Sequence, residues 1–358
     1  MGSSTGHLFR VTTFGESHGR GLGAVVEGCP PGLTLDLDAV QADLDRRRPG
    51  QGALTTPRKE RDRVEVLSGL FEGRTTGTPI ALLFTNEDAR SKSYDSVKDL
   101  FRPGHADYTY EARYGLRDHR GGGRASARET AARVAAAAIA RQWLAEVHGV
   151  EVVAWVASVA HIEADVASDT VIRAAVETSP TRCPDPAAAA AMDTLIRETR
   201  RQGDTVGGTV AAVARGVPAG WGDPVFDKLE ADLAKACLSL PACKGFEVGS
   251  GFAGTLMRGT THNDPFFHDG ERVRTKSNHA GGILGGISSG ENITVRCAFK
   301  PVSTHFQPQE TVNRDGEAVS FKNEGRHDPC VLPRAVPLVE AALLLTLADH
   351  GLRAAAVG

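Results

Sequence analysis

Two histidines lie in short polar turns of the kind from which a side chain can transfer a proton. His18 follows Ser17 within residues 15–19, Gly-Glu-Ser-His-Gly, directly after a strand-like run. His105 follows Arg102 in a second turn, Arg-Pro-Gly-His-Ala-Asp. Histidine is the usual general acid or base near neutral pH, so both are candidates for proton transfer. An ordinary polar turn is the alternative in each case, because turns and loops favour the same residue types.

A run of glycines introduces the strongest candidate for an anion site. Residues 121–123 are all glycine and are followed by Arg-Ala-Ser-Ala-Arg-Glu and an alanine-rich stretch. Ser126 and Glu129 have the spacing of a capping box, which predicts a helix N-terminus. The free N–H groups and the positive dipole end of that helix, together with Arg124 and Arg128, would attract an anion. An ordinary capped helix is the alternative, although two arginines at a helix start oppose the dipole unless an anion offsets them.

The C-terminal third carries further donors for a phosphorylated ligand. Lys300, Ser303 and Thr304 lie close together, and Arg326 follows later in the chain. Each could donate a hydrogen bond to phosphate. Paired glycines earlier in the same region would let a flat ligand approach the backbone.

Other patterns are better explained without a ligand. Residues 249–254 match the glycine pattern of dinucleotide-binding loops, but the residues after them cannot supply the long helix that holds a pyrophosphate. His262 and His268 flank Asp264, yet their spacing fits no common motif, so we expect no metal site. The arginine run at 46–48 is typical of a solvated basic face at a helix C-terminus.

A mixed framework of helices and strands must position these residues. Capping residues, prolines and glycines predict helices at about 36–48, 126–147, 186–203, 224–237 and 337–350. Runs rich in valine and isoleucine predict strands at 64–67, 80–84, 150–159, 206–214 and 293–299. The order of elements repeats loosely, so we expect a single domain over 1–358 with similar halves at about 8–148 and 149–352.

The composition of the whole chain excludes several classes of protein. Its 358 residues include 41 Lys and Arg against 44 Asp and Glu, and this net charge of −3 argues against a nucleic-acid coat or a binder of anionic membranes. RNA-binding modules stack bases on aromatic side chains, and aromatic residues make up only 6% of this chain, which argues against that class. Six scattered cysteines without a Cys-x-x-Cys pair indicate reduced thiols. No signal peptide or membrane span is apparent, so we expect a soluble, cytoplasmic protein.

Taken together, these segments resemble the chorismate synthase family. Its three signature regions are similar to residues 15–30, 121–139 and 326–340, and the similarity extends from about residue 8 to the last helix. The resemblance implies the α+β class, as a β-α-β sandwich with internal duplication that usually assembles as a homotetramer. It implies a lyase that uses reduced FMN for the anti-1,4-elimination of phosphate and a ring proton from 5-enolpyruvylshikimate 3-phosphate. The product, chorismate, is the last common intermediate of the shikimate pathway to aromatic amino acids.

The resemblance also assigns roles at matching positions. His18 would serve the leaving phosphate, His105 the flavin ring and Asp328 the proton at flavin N5. Ser17 and Ser126 would act as relays. The positions matched to substrate are Arg47, Arg102 and Arg128. The positions matched to FMN are Arg124, Ala125, Ser126, Pro241, Ala242, Gly285, Lys300, Pro301, Val302, Ser303, Thr304 and Arg326.

The source of reduced flavin stays open at this stage. Ala53 stands where family members commonly carry an arginine, which puts in doubt whether its loop contacts substrate or NADPH. Some members also reduce flavin with NADPH. Because no separate nicotinamide domain is apparent, we expect a monofunctional enzyme that receives reduced FMN from an external flavin reductase.

Overall fold

The computed structural model of the chain describes residues 2–50, 61–86, 97–323 and 328–357. The described residues form the strands β1 (Ser4–Thr5), β2 (Arg10–Gly15), β3 (Gly21–Glu27), β4 (Glu65–Val66), β5 (Leu70–Phe71), β6 (Arg74–Thr75), β7 (Ile80–Thr85), β8 (Glu151–Val159), β9 (Ile162–Glu163), β10 (Gly208–Arg215), β11 (Cys243–Val248), β12 (Phe266–His268), β13 (Val273–Thr275), β14 (Ile283–Leu284), β15 (Ile287–Ser288), β16 (Ile293–Phe299), β17 (Gln309–Val312) and β18 (Ala318–Phe321). They form the helices α1 (Leu37–Arg47), α2 (Asp107–Tyr114), α3 (Thr130–His148), α4 (Arg173–Glu177), α5 (Pro186–Arg201), α6 (Leu229–Leu238), α7 (Gly259–His262) and α8 (Leu332–Val357). Short 3₁₀ helices lie at Gly123–Ala125, Ala127–Glu129 and Gly251–Leu256.

Two antiparallel sheets form the outer layers, and four strands of each share the same connectivity, β2-β3-β7-β4 in the first and β8-β10-β16-β11 in the second. The first has the order β1-β2-β3-β7-β4 and the second the order β9-β8-β10-β16-β11. In each, a helix follows the central strand, α1 after β3 and α6 after β10. A long helix then follows the last paired strand of each half, α3 after β7 and α8 after β16. This correspondence between the elements of the two halves is the pattern expected from duplication of one unit.

Helices fill the space between the sheets. α3 contacts β2, β3 and β7 of the first sheet, whereas α8 contacts β8 and β10 of the second. α3 and α8 also contact each other, with α1 and α6 beside them. The arrangement is a β-α-β sandwich, so the predicted α+β class is confirmed.

Small and apolar side chains let the two central helices pack closely. α3 buries most of its alanines, including Ala131, Ala135 and Ala138. Between Leu332 and Gly351 every residue of α8 except Arg334 is buried, so this helix is packed on all sides. Within the described part of the chain, α8 alone has the length and composition to cross a bilayer, but 89% of that stretch is buried inside the protein. α8 is therefore a core helix in this fold.

Some predicted helix limits are confirmed and others are wrong. The Asp36 carboxylate caps α1 by accepting from the N–H groups of Asp38 and Ala39. Asp185 caps α5 in the same way. α6, however, begins at Leu229 and not near Pro224, because Pro224 and the residues after it form a non-helical loop before the helix. The predicted decoy at 249–254 is followed only by a 3₁₀ helix and the short α7, so no helix stands behind it that could hold a pyrophosphate.

The last helix is longer at both ends than its prolines and glycines predict. Pro337 lies inside α8 and cannot donate to the carbonyl of Pro333, one turn earlier. Arg182 Nη1 donates to that carbonyl instead, so the lost bond is replaced. Gly351 does not end the helix: a Cβ there would lie 2.8 Å from Trp221 Cη2. This glycine provides close packing in place of a C-cap.

Candidate active site

The turn that contains His18 lies against the glycine loop at 121–123. Gly15 ends β2 with a left-handed φ of +85°, which only glycine adopts without strain. A Cβ on Gly121 would lie 2.4 Å from His18 Cδ2, so this glycine packs directly on the imidazole. Arg124 donates to the Gly15 carbonyl at 3.1 Å and to Thr13 Oγ1 at 2.7 Å. The structure thus brings the first and second sequence motifs together.

One amide group holds the His18 turn from its other side. Asn86 Nδ2 donates to the carbonyls of Glu16 and Gly19, both at 2.9 Å. Its Oδ1 accepts from Arg128 Nε at 3.0 Å. Inside this turn, the buried Ser17 hydroxyl has no hydrogen-bond partner among the described residues. A buried hydroxyl in that condition is available to a ligand.

The helix start at Ser126 forms only half of the predicted capping box. Ser126 Oγ accepts from the N–H of Arg128 at 3.3 Å. The carboxylate of Glu129 does not turn back to Ser126, whose N–H donates to the Gly123 carbonyl. Glu129 instead accepts from Thr13 Oγ1 at 2.8 Å and from Arg133. The reciprocal capping bond is therefore absent, and Glu129 joins α3 to the first sheet.

Two of the arginines matched to substrate donate hydrogen bonds to one buried carboxylate, that of Asp62. Arg47 Nη1 donates to Asp62 Oδ2 at 2.6 Å, and Arg128 Nη1 donates to Asp62 Oδ1. Arg128 thus pairs with Asp62 and Asn86, whereas Arg124 donates to Gly15 and Thr13, and the convergence of the two guanidinium groups on one anion stays a prediction. Burial, reinforced by the charges of Arg334 and Arg128, lowers the pKa of Arg47 to about 10, although Asp62 opposes that shift.

Asp328 lies at the edge of the same group of charges. Arg334 Nη1 donates to Asp328 Oδ2 at 2.5 Å, and Arg334 Nε donates to the Arg47 carbonyl at 3.4 Å. The third signature region is therefore joined to α1 and, through Asp62, to the start of α3. Arg326, matched to FMN, and Ala53 lie outside the described residues.

His105 faces the loop at 300–304. Its Nδ1 lies 3.0 Å from the Pro103 carbonyl and its Nε2 lies 3.0 Å from Thr304 Oγ1. Because a carbonyl can only accept, Nδ1 carries the proton and neutral Nε2 accepts from the Thr304 hydroxyl. Burial and the charge of Arg102 lower the pKa of His105, and this effect outweighs the opposing Pro103 and Asp107 contributions. The neutral imidazole is favoured.

The turn before His105 is close to Lys300 and Ser303. Ser303 Oγ donates to the Gly104 carbonyl at 2.9 Å, and Lys300 Nζ donates to the same carbonyl at 3.3 Å and to Ser303. The backbone N–H of Lys300 donates to the Ala242 carbonyl at 3.0 Å, which places Pro241 and Ala242 beside this loop. Burial and the charge of Lys244 lower the pKa of Lys300. The loops at 102–107, 241–242 and 300–304 therefore form one surface.

Arg102, the third arginine matched to substrate, is held by a carboxylate. Arg102 Nε and Nη2 donate to the two oxygens of Asp107 at 2.7 and 2.8 Å. Arg117 also pairs with Asp107 at 2.9 Å. Burial raises the pKa of Asp107, but the hydrogen bond and charge of Arg102 and the charge of Arg117 outweigh it and leave the pKa lowered. Arg102 is thus oriented by a carboxylate that stays ionised.

Helix α2 connects the His105 loop to the glycine loop. Tyr110, in the middle of α2, is close enough to Arg124 and Glu16 for their charges to act on it. Burial and the charges of Tyr114 and Glu16 raise the Tyr110 pKa more than Arg124 lowers it. The helix that begins in the His105 loop therefore also contacts the glycine loop.

Gly285 lies apart from the other positions matched to FMN. It connects β14 to β15, and a Cβ on the adjacent Gly286 would lie 2.5 Å from Lys228 Cγ at the start of α6. β16 separates this hairpin from Lys300, and a strand of that length spans roughly 20 Å. Within one chain, Gly285 is not part of the surface formed by the other loops.

Several residues that organise the site were missed by the sequence analysis. They are Asp62, Asn86, Tyr110, Asp107 as a partner of Arg102, and Arg334. Asp107 and Arg334 stand within or beside motifs that had been singled out, so their spacing offered a signal. Asp62 and Asn86 stand in unremarkable polar surroundings, and only tertiary packing reveals their partners.

Comparisons with known proteins agree over almost the full chain. The family model described as chorismate synthase matches residues 9–352. A chorismate synthase of Thermosynechococcus vestitus is 60% identical over 354 residues, covering 99% of this chain and 98% of the relative. One from Opitutus terrae is 56% identical over 356 residues, with 99% and 98% covered. A crystal structure of a chorismate synthase superposes with a TM-score of 0.78 at 31% identity, covering 98% of this chain and 93% of the other.

Proposed function

This chain belongs to the chorismate synthase family, and from that membership we propose the reaction that its site catalyses. The reaction is the anti-1,4-elimination of phosphate and a ring proton from 5-enolpyruvylshikimate 3-phosphate, which yields chorismate. The protein is then a carbon–oxygen lyase of the shikimate pathway. The observation that carries the proposal is the packing of Gly121 on His18, which brings two distant signature regions into one site.

The charges of the site suit an anionic substrate. Arg47, Arg128 and Arg334 surround the carboxylates of Asp62 and Asp328, so three cations face two anions. The substrate has two carboxylates and a phosphate, which such a cationic excess attracts. Arg102 provides a further guanidinium that Asp107 has already oriented. We assign Arg47, Arg102 and Arg128 to substrate binding.

The donors near Lys300 suit reduced FMN. The ammonium group of Lys300 and the hydroxyls of Ser303 and Thr304 lie on one loop, and the missing side chain of Gly104 lets Ser303 and Lys300 pack against that turn. When bound, reduced FMN supplies transient electron density to the substrate and an acceptor for its proton, with no net oxidation. In our assignment Arg124, Ala125, Ser126, Pro241, Ala242, Pro301 and Val302 complete the contacts, with Arg326 and Gly285 as further matched positions.

Protein side chains then manage the protons. We assign His18 to protonate the leaving phosphate, with the buried Ser17 hydroxyl beside it as a relay. We assign neutral His105, whose orientation is fixed by Pro103 and Thr304, to hold the flavin ring. We assign Asp328 to the proton at flavin N5, and Ser126 acts as a further relay.

The remaining assignments concern partners and location. We propose a cytoplasmic homotetramer, which would let Gly285 of one subunit complete the FMN site of another. We propose a monofunctional enzyme that receives reduced FMN from a separate flavin reductase, and NADPH-dependent reduction by the chain itself is the alternative. No metal, nucleic acid or membrane enters the proposed reaction.

An anaerobic assay with photoreduced FMN and the phosphorylated substrate tests the proposal. Chorismate formation is expected there, and it should fall strongly in His18→Ala and His105→Ala while circular dichroism and thermal unfolding show that both variants fold. Repeating the assay in air with oxidised FMN and NADPH separates the two sources of reduced flavin. A folded, FMN-binding protein that forms no chorismate under either condition contradicts the proposal.

A further inference from the structure

Asp62 is a buried carboxylate beside the site, and we propose that it is a positioning residue for the arginines that bind substrate. The inference rests on the proposed function. The side chain of Asp62 has 0% exposure, and its two oxygens accept from different guanidinium groups, those of Arg47 and Arg128. The Asp62 carboxylate therefore bridges the two arginines and fixes their guanidinium groups relative to each other.

The two arginines come from separate elements, which the Asp62 carboxylate joins. Arg47 is the last residue of α1, and Arg128 lies in the 3₁₀ helix before α3. Each guanidinium also has a second anchor: Arg47 Nη2 donates to the Ala127 carbonyl at 2.9 Å, and Arg128 Nε donates to Asn86 Oδ1 at 3.0 Å. A guanidinium held on two sides loses little further freedom when an anion arrives, so binding is preorganised.

The backbone at Asp62 supports this role. Its φ of 49° is left-handed, a conformation that non-glycine residues adopt rarely and Asp more readily than most. Gln41 Nε2 donates to the Asp62 carbonyl at 3.3 Å, which ties the residue to α1. A rare backbone conformation retained beside a ligand site indicates that the position of the carboxylate matters.

Two roles for Asp62 predict opposite effects on substrate affinity. If the carboxylate only offsets positive charge, its neutralisation makes the group formed with Arg47, Arg128 and Arg334 more positive by one charge and strengthens binding of the anionic substrate. If it positions the guanidinium groups, its neutralisation lets them rotate and weakens binding. The direction of the change in KM therefore decides between the two roles.

The variant Asp62→Asn tests this with reduced FMN supplied in excess. We expect KM for the substrate to rise about tenfold, as for the loss of one oriented charge-assisted interaction. We expect kcat within about threefold of the unaltered enzyme and unchanged FMN affinity, because the Asp62 carboxylate positions only the arginines that bind substrate. A double variant with Arg128→Lys should have no higher KM than the worse single variant, since both changes remove the same arrangement.

Asp43→Asn is the matched control. Asp43 is also buried and pairs with Arg141 at 3.0 Å and with Arg173, but those arginines belong to the network around Glu340 and not to the site. It should lose stability while keeping KM. Equal rises in KM for both variants, an unchanged or lower KM in folded Asp62→Asn, or additive effects with Arg128→Lys would overturn the proposal.

Two further measurements keep the outcome clear. If Asp62→Asn does not fold, Asp62→Glu takes its place in the same comparison, because glutamate retains the charge but displaces the carboxylate. A KM for Asp62→Glu equal to that of the unaltered enzyme counts against positioning. If the unaltered protein forms no chorismate, the proposed function fails. Calorimetric affinity for the phosphorylated substrate then still tests Asp62 by itself, with weaker binding in Asp62→Asn supporting the inference and equal or tighter binding overturning it.

Discussion

Gly121 packs directly on His18, the histidine that we assign to the leaving phosphate. A Cβ at this position would lie 2.4 Å from Cδ2 and 2.9 Å from Nε2 of His18. The glycine therefore sets how close the loop comes to the imidazole. Gly123, two residues later, also has a left-handed φ, but a Cβ there would have nothing within 4 Å.

We expect Gly121→Ala to lower chorismate formation by about a hundredfold or more, because the displaced imidazole no longer meets the leaving phosphate. Gly123→Ala is the matched control, since it adds backbone strain without a collision. Steady-state kinetics of the two variants, with FMN binding measured to confirm folding, provide the comparison. Similar losses in both variants would show that backbone strain, and not the position of His18, is responsible.

At this scale the sequence identified residues that stand in dense motifs. His18, Ser126, His105 and Lys300 each lie beside glycines, prolines or other charges, and the structure places their segments in contact. Asp62 could not be recognised in this way. Its partners are distant in the chain, and a lone aspartate among surface-like charges gives no sign that it is buried.

At the scale of elements, α8 carries a fully buried carboxylate into the core. Glu340 accepts from Arg46 Nη1 at 2.6 Å, from Arg141 Nη2 at 2.8 Å and from the N–H of Ala154 at 3.2 Å. Burial alone would raise the Glu340 pKa, but the charges of Arg46 and Arg141 lower it to about 2. Through these hydrogen bonds, Glu340 joins α8 to α1, to α3 and to the second sheet.

Glu340 predicts a specific acid sensitivity. Because its folded pKa lies below the ordinary value of 4.5, its stabilisation is present above pH 4.5 and is lost as the pH falls towards 2. Glu340→Gln should lower the free energy of unfolding at neutral pH by about 3–5 kcal/mol and flatten the pH dependence in that window. Denaturant unfolding between pH 2 and 7 measures both.

Glu151→Gln is the control for that experiment. Glu151 pairs with Arg215 at 2.8 Å, but its side chain is 53% exposed. Its loss should change the free energy of unfolding by no more than about 0.5 kcal/mol. Equal destabilisation by both variants would argue against a special role for the buried group.

The limits of elements were predictable where a local signal decides them. Asp36 and Asp185 cap their helices through bonds to residues two and three positions later, which sequence spacing reveals. α8 differs because Pro337 and Gly351 are tolerated through Arg182 and Trp221, both distant in sequence. β3 was also missed, and its burial becomes clear only once β2 and β7 lie on either side.

For the whole molecule, four strands of each sheet correspond in their order, and helices from both halves share one core. We infer a single domain over 1–358 that arose from two related halves, about 8–148 and 149–352. Residue similarity between the halves is too low to show this, whereas strand connectivity preserves it. The sequence could therefore predict the class and the repeated element order, but not the sheet topology.

The burial of the cysteines gives a prediction about the intact fold. All six are free and buried. Burial raises the pKa of Cys29 to about 11 and, against a smaller opposing bond from Leu332, that of Cys330 to about 12. Thiolates form rarely under these conditions, so the native protein should react very slowly with a thiol reagent at pH 8.

Titration with a chromogenic disulfide reagent measures this. The native protein should show no rapid phase, and six thiols should react once the protein is unfolded in denaturant. The unfolded sample is the internal control for the total. A rapid phase in the native protein would mean that at least one thiol is accessible and that the core is less closed than described.

The carboxylate of Asp349 accepts from the backbone N–H groups of His7, Leu8 and Phe9 at 2.7, 2.7 and 3.0 Å. The segment leading into the first long strand is thus completed by a residue that the ribosome adds more than 300 residues later. While the chain is being made, α3 can cover the first sheet, but the face of α3 that packs against α8 stays uncovered until α8 emerges. Newly synthesised chains therefore depend on protection from aggregation until translation is almost finished.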